Sequence, residues 1–85
     1  MKYEIKIHKR VQKYLSKLPA NFKSNIINQL KKLESGEWDL LDIKNMQGEW
    51  SGYKRFRIGD IRVIFEVKDN IIFIDYIGAR GDIYK

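Results

Sequence analysis

Arginine is the scarcer basic residue in this chain, and its placement is uneven. Lysines outnumber arginines twelve to five, yet Arg55, Arg57, Arg62 and Arg80 all lie beyond residue 54, with Tyr84 close behind. A guanidinium presents a planar fork of donors that matches two phosphate oxygens at once, where a lysine offers a single point charge. Arg55 and Arg57 alternate with Phe56 and Ile58, and Arg62 follows the dipeptide Gly59-Asp60. That dipeptide fits a two-residue hairpin turn whose first position needs positive φ, which glycine supplies. The turn predicts Arg57 opposite Arg62 and Arg55 opposite Ile64. Three arginines then share one sheet face, while Phe56, Ile58, Ile61, Val63, Phe65 and Val67 share the other. Like charges directly opposite destabilise a sheet by about 0.2–1 kcal/mol, so the arrangement makes physical sense with an anion bound.

The reaction such a cluster suits is phosphodiester cleavage in RNA. Attack of a ribose 2′-OH on the adjacent phosphate needs a proton acceptor, charge stabilisation on the non-bridging oxygens, and a proton for the leaving 5′ oxygen. Arginines meet the second need. Arg57 and Arg62 are placed to bracket one phosphate, with Lys54 and Arg55 holding the strand on either side. Tyr84 is the candidate proton-transfer group, because neighbouring positive charge favours a phenolate. Other chemistries lack their residues. His8 is the only histidine and has no carboxylate cluster at metal-ligand spacing, so neither a metal nor another cofactor is expected. Asp39 and Asp42 read as surface residues. No glycine-rich phosphate loop is present, which argues against ATP-dependent chemistry. With no cysteine, the chain holds together by packing alone.

The elements that must position these groups follow from periodicity. Tyr3, Ile5 and Ile7 alternate with polar residues and predict a first strand. Val11, Tyr14, Leu15 and Leu18 recur at helical spacing until Leu18-Pro19 breaks the run. Phe22, Ile26, Leu30 and Leu33 predict a second helix, stopped at Ser35-Gly36. Lys9, Lys13 and Lys17 read as a solvated helix face. The segment 37–52 carries Trp38, Leu40, Leu41, Ile43, Met46 and Trp50 without a clean period and reads as an ordered connector packing apolar anchors onto the core. Two strands flank Gly59-Asp60, Lys68-Asp69-Asn70 makes the next turn, and 71–77 reads as a central strand covered on both faces that delivers Arg80. The predicted fold is α+β: one small β-α-α-β-β-β domain over 1–85, with a helical hairpin on a mainly antiparallel four-stranded sheet. Eighty-five residues, 44% hydrophobic, suffice for one modest core, and a formal charge of +6 predicts a polyanionic partner. No stretch approaches the roughly 20 apolar residues of a membrane span, so a soluble, cytoplasmic protein without a membrane partner is expected.

The strings Tyr53-Lys54-Arg55-Phe56-Arg57-Ile58-Gly59-Asp60-Ile61-Arg62-Val63-Ile64-Phe65-Glu66-Val67 and Ile77-Gly78-Ala79-Arg80-Gly81-Asp82-Ile83-Tyr84 resemble the RelE/ParE superfamily of bacterial and archaeal toxins. The preceding strand and helical hairpin are consistent with it, so the resemblance covers nearly the whole chain. It implies the toxin of a type II toxin–antitoxin system, bound and silenced by a cognate antitoxin. In the RelE branch it implies a metal-independent endoribonuclease that enters the ribosome and cuts mRNA. Residue by residue, it implies RNA binding and activation by Arg55 and Arg57, transition-state stabilisation by Arg62, a second arginine near the leaving group in Arg80, and a catalytic aromatic in Tyr84. Many relatives carry a histidine where Ala79 stands and an arginine where Gly81 stands, so slow cleavage without a histidine base is expected. The ParE branch implies a different activity, inhibition of DNA gyrase, and a non-toxic relative that only binds an antitoxin is a third reading.

Overall fold

The computed structural model describes residues 2–79. The chain begins with strand β1, Glu4–Ile7, whose Ile5 and Ile7 pack against the core while Glu4 and Lys6 alternate outward. His8 caps helix α1, Lys9–Ser16, its Nδ1 accepting the Arg10 backbone N–H at 3.1 Å. This satisfies one of the amide donors that every helix start leaves orphaned. α1 buries Val11 and Leu15, one turn apart. Helix α2, Ala20–Ser35, starts at Pro19 and buries Ile26, Leu30 and Leu33, then closes on the left-handed residue Gly36. Phe22, placed by periodicity in that apolar stripe, is instead 56% exposed. It lies in the first turn of α2, at the rim of a cleft that it lines with Leu18, Ile58 and Ile61.

The predicted four-stranded sheet is corrected to five strands. Strand β2, Asp42–Asn45, lies inside the supposed connector and pairs antiparallel with β3, Lys54–Ile58. β3 turns into β4, Ile61–Lys68, which pairs with β5, Ile71–Ala79. The spatial order is β1-β5-β4-β3-β2, and β1 is parallel to β5, so the sheet is mixed. Four residues of β2 are too few to show a period, and their edge position leaves Asp42, Lys44 and Asn45 exposed. Within the connector, Trp38, Leu41 and Ile43 do pack on the core, whereas Leu40 is 80% exposed.

The β3–β4 hairpin has the predicted register: Ile58 opposite Ile61, Arg57 opposite Arg62, Phe56 opposite Val63 and Arg55 opposite Ile64. Gly59 has φ 59°, the backbone that a two-residue turn demands at its first position and that side chains resist. The β4–β5 ladder contains an irregularity. Ile64 pairs with Tyr76 and Phe65 with Ile74, which leaves Asp75 as an unmatched bulge residue. An extra residue reverses the alternation of everything after it. Ile72 and Ile74 therefore face the helices, and so does Ile77, while Tyr76 is turned to the other face. The reading of 71–77 as an interior strand holds, since β5 lies between β1 and β4, but its coverage on both faces is corrected: Ile72 and Ile74 are buried while Ile71, Phe73 and 75–77 are half-buried.

Both helices lie on one face of the sheet. The core between them and the sheet holds Val11, Leu15, Ile26, Leu30 and Leu33 against Phe56, Val63, Phe65, Ile72 and Ile74. Trp38 seals one end: its Nε1 donates to the Leu33 carbonyl at 2.7 Å, and its ring stacks on Tyr3 and meets Phe65 edge-on. No described helix is long and apolar enough to cross a membrane.

Candidate nucleic-acid interface

The face of the sheet turned away from the helices carries the arginines. Residues paired across a ladder share a face, so the register assigns Arg57 and Arg62 to one cross-strand row and Arg55, Ile64 and Tyr76 to the next. Directly opposite side chains have Cβ atoms about 4.5–5.5 Å apart, so Arg57 and Arg62 can reach a common anion. Arg57 is exposed, while Arg55 and Arg62 are half-buried. Between Arg55 and Tyr76, Ile64 is fully buried and stands outside the helix-side core, forming an apolar floor to this surface. An apolar floor lowers the local dielectric and strengthens interactions of the flanking charges with an anion.

Asp42 lies opposite Arg57 on β2 without forming an ion pair with it; the ion pair among the described residues joins Lys68 and Glu66 at 3.8 Å. The Nε of Arg55 is buried and has no hydrogen-bond partner. A buried donor left unmade costs about 1–3 kcal/mol, which binding an acceptor oxygen would recover. Arg55→Met is accordingly expected to raise stability of the ligand-free protein by about 1 kcal/mol, read as a higher thermal midpoint.

Lys54 is not brought into this cluster. It alternates to the face opposite Arg55, pairs with Phe65, and donates from Nζ to Asn45 Oδ1 at 2.6 Å. Arg80 and Tyr84 lie outside the described residues.

Alternation puts Tyr53 on the arginine face, but sequence reasoning missed Trp50 and Tyr76, which join it there. Trp50 ends a short 3-10 turn, Gly48–Trp50, and meets Tyr53 and Tyr76 edge-to-face, with ring centroids 5.6 and 5.0 Å away. The Arg10 guanidinium lies 4.4 Å from the centre of the Tyr76 ring, at cation–π distance. Arg10 also donates from Nε to His8 Nδ1 at 3.0 Å. The one sequence signal for this group is Gly-Glu-Trp-Ser-Gly: Gly52 has φ 96°, which lets the chain reverse and set Trp50 beside Tyr53.

Tyr53 is held in its protonated form. Burial raises its pKa first, and the Glu66 and Asp75 carboxylates and a hydrogen bond to Asp75 raise it further. It is therefore a poor proton acceptor at neutral pH. The stabilisation this gives is complete below the ordinary phenol value of 10.0 and disappears as pH rises through the higher folded value. An alkaline titration followed by phenolate absorbance should show one tyrosine ionising late, and Tyr53→Phe should abolish that late step.

Comparisons with known proteins agree with this architecture. No family model matches the chain. A curated protein named "Putative toxin RelE1", from Methanocaldococcus jannaschii, is 40% identical over all of this chain and 98% of its own length. The archaeal RelE–RelB complex from Pyrococcus horikoshii OT3 contains a chain that is 32% identical, with TM-score 0.80 over 96% of this chain and 99% of that one. The RelB–RelE antitoxin–toxin complex from Methanococcus jannaschii gives 28% identity and TM-score 0.73, over 92% of this chain and 93% of that one. A chain of the E. coli DinJ–YafQ toxin–antitoxin complex shares the fold at TM-score 0.78, over the full length of both chains, with only 14% identity. With a full-length relative at 40% identity and the same two-helix, mixed-sheet architecture, the chain belongs to the RelE toxin superfamily.

Proposed function

We propose that the protein is the toxin of a toxin–antitoxin pair and acts as a ribosome-dependent, metal-independent endoribonuclease on mRNA. The observation that carries this reading is the convergence of Arg55, Arg57 and Arg62 on the sheet face away from the helices, with the Arg55 Nε buried and lacking an acceptor. In the proposed reaction a ribose 2′ oxygen attacks the neighbouring phosphorus and the bond to the 5′ oxygen breaks. The products are a 2′,3′-cyclic phosphate and a 5′-hydroxyl end, with one proton leaving the 2′-OH and one reaching the 5′ oxygen. Arg57 and Arg62 neutralise the charge that builds on the non-bridging oxygens, and Arg55 holds the strand beside them. Tyr84 and Arg80 are assigned to proton transfer and to the leaving-group side by the family resemblance of 77–84. Tyr53, held protonated, is not the base.

A cognate antitoxin is the proposed protein partner, supported by solved relatives that are toxin–antitoxin complexes. Its binding segment would order on contact, with the cost of ordering offset by a large contact area. The relatives at 40% and 32% identity are RelE proteins, which favours RNA cleavage over the gyrase-directed reading. Reconstituted translation tests the proposal. Purified protein is expected to cut ribosome-bound mRNA at the Mg²⁺ level that keeps ribosomes intact, with no added transition metal, leaving 5′-hydroxyl ends. Intact mRNA alongside inhibited DNA supercoiling would overturn it in favour of a gyrase poison.

A further inference from the structure

The aromatic group on the face away from the helices has no role in the phosphate chemistry above, and its construction differs from ordinary core packing. Trp38 shows what a structural tryptophan looks like here: its Nε1 is hydrogen-bonded, its face is stacked on Tyr3 at an interplanar angle of 27°, and its edge meets a buried phenylalanine. Trp50 stands nearly perpendicular to both of its ring neighbours, at 81° and 86°, on the side of the sheet that the helices leave uncovered. In this strip no ring face is consumed by parallel stacking on another ring. The flat group lying over Tyr76 is the guanidinium of exposed Arg10, itself a surface on which a base can stack.

The strip also lies at the right place. Tyr76 shares a cross-strand row with Arg55, two strands away, and Tyr53 precedes Arg55 by two residues, immediately before β3 begins. Those separations are about 10 Å and about 7 Å, within reach of a nucleotide whose phosphate is held at Arg55. The Asp75 bulge puts Tyr76 on the arginine face, and the positive φ of Gly52, two residues after Trp50, lets the chain turn so that these half-buried rings lie next to the arginines.

We propose that Trp50, Tyr53 and Tyr76, with the Arg10 guanidinium, form a stacking strip for the bases of a single-stranded RNA segment whose phosphates lie on Arg55, Arg57 and Arg62. This rests on the RNA reading above and adds a base-binding subsite to it. Alternating planar faces and guanidinium groups are how proteins hold unpaired strands with little sequence preference. The alternation of half-buried rings with guanidinium groups matches a strand in which planar bases alternate with phosphates.

Binding at low salt of two labelled oligomers of equal length separates these terms: a single-stranded RNA, and a tetrahydrofuran abasic backbone bearing phosphates but no bases. Fluorescence anisotropy is the readout. Trp50→Ala should weaken RNA binding about tenfold or more and leave the abasic oligomer within twofold of wild type. Trp50→Phe should restore most of the loss, and Arg10→Gln, an exposed change outside the core, should act in the same direction on RNA alone. Arg55→Met should weaken both oligomers together. If Trp50→Ala and Arg10→Gln spare RNA while Arg55→Met weakens both oligomers, the stacking strip is overturned and the phosphate site stands. Equal losses on both oligomers for Trp50→Ala and Trp50→Phe would also overturn it. If the wild-type protein binds neither oligomer, the stacking strip is overturned, whereas the nuclease reading stands or falls on cleavage of ribosome-bound mRNA in reconstituted translation.

Discussion

Arg62→Ala should slow RNA cleavage by about 10²–10³, equivalent to about 3–4 kcal/mol of lost transition-state stabilisation, by analogy with removal of one oxyanion donor. The size follows from position. Arg62 is on the central strand, half-buried, directly across the ladder from Arg57 and next to the buried Ile64. Charge on the phosphate oxygens grows as the 2′ oxygen attacks, so a guanidinium fixed there interacts more strongly with the transition state than with the bound ground state. Rate should therefore fall more than binding. Arg62→Lys keeps the charge and loses the planar fork, and it should recover only part of the rate. Single-turnover cleavage of ribosome-bound mRNA measures both variants, and an Arg62→Ala protein that cuts at the wild-type rate would remove Arg62 from the mechanism.

Phe65→Ala should cost about 3–5 kcal/mol of folding stability. Phe65 is completely buried on the central strand, in the core shared with Val11, Leu33 and Ile74, and it receives the edge of Trp38. A domain of this length has a total stability of roughly 4–13 kcal/mol, so the loss is a large share of it. The thermal midpoint should fall on the order of 20 °C, with the fluorescence of Trp38 reporting the loosened packing. Phe65→Leu, which keeps most of the volume, should cost less than about 1.5 kcal/mol. Equal midpoints for Phe65→Ala and wild type would contradict the assignment of this core. The two predictions are separable, because Arg62 lies on the face of the sheet opposite to Phe65.

The parts of the fold legible in advance were those with strong local signals. Two apolar stripes ending at Leu18-Pro19 and Ser35-Gly36 marked the helical hairpin, and Gly59-Asp60 set the β3–β4 register residue by residue. Once that register is set, alternation alone places Arg55, Arg57 and Arg62 together, so the centre of the candidate site could be read from fifteen consecutive residues. Alternation should likewise have excluded Lys54, which sits one residue from Arg55 and so on the other face. Strand β2 was illegible because four residues with one half-buried isoleucine carry no period; pairing with β3 makes it a strand. Phe22 shows the converse, a residue in phase with a helix stripe that stays 56% exposed at the rim of a cleft beside Ile58 and Ile61.

By itself, the sequence determined the helices, the central hairpin, the clustering of guanidinium groups on one side of it, and, through 53–67 and 77–84, the resemblance to RelE-like toxins. These depend on interactions between residues close along the chain, where spacing translates directly into geometry. Only the tertiary structure decided that β1 closes the sheet in parallel beside β5, that Asp75 bulges and swings Tyr76 outward, and that Arg10 from the first helix comes to lie on that ring beside Trp50. Those juxtapositions join residues far apart in sequence, and a single unmatched residue in a ladder reverses which side chains meet. No local pattern encodes either effect.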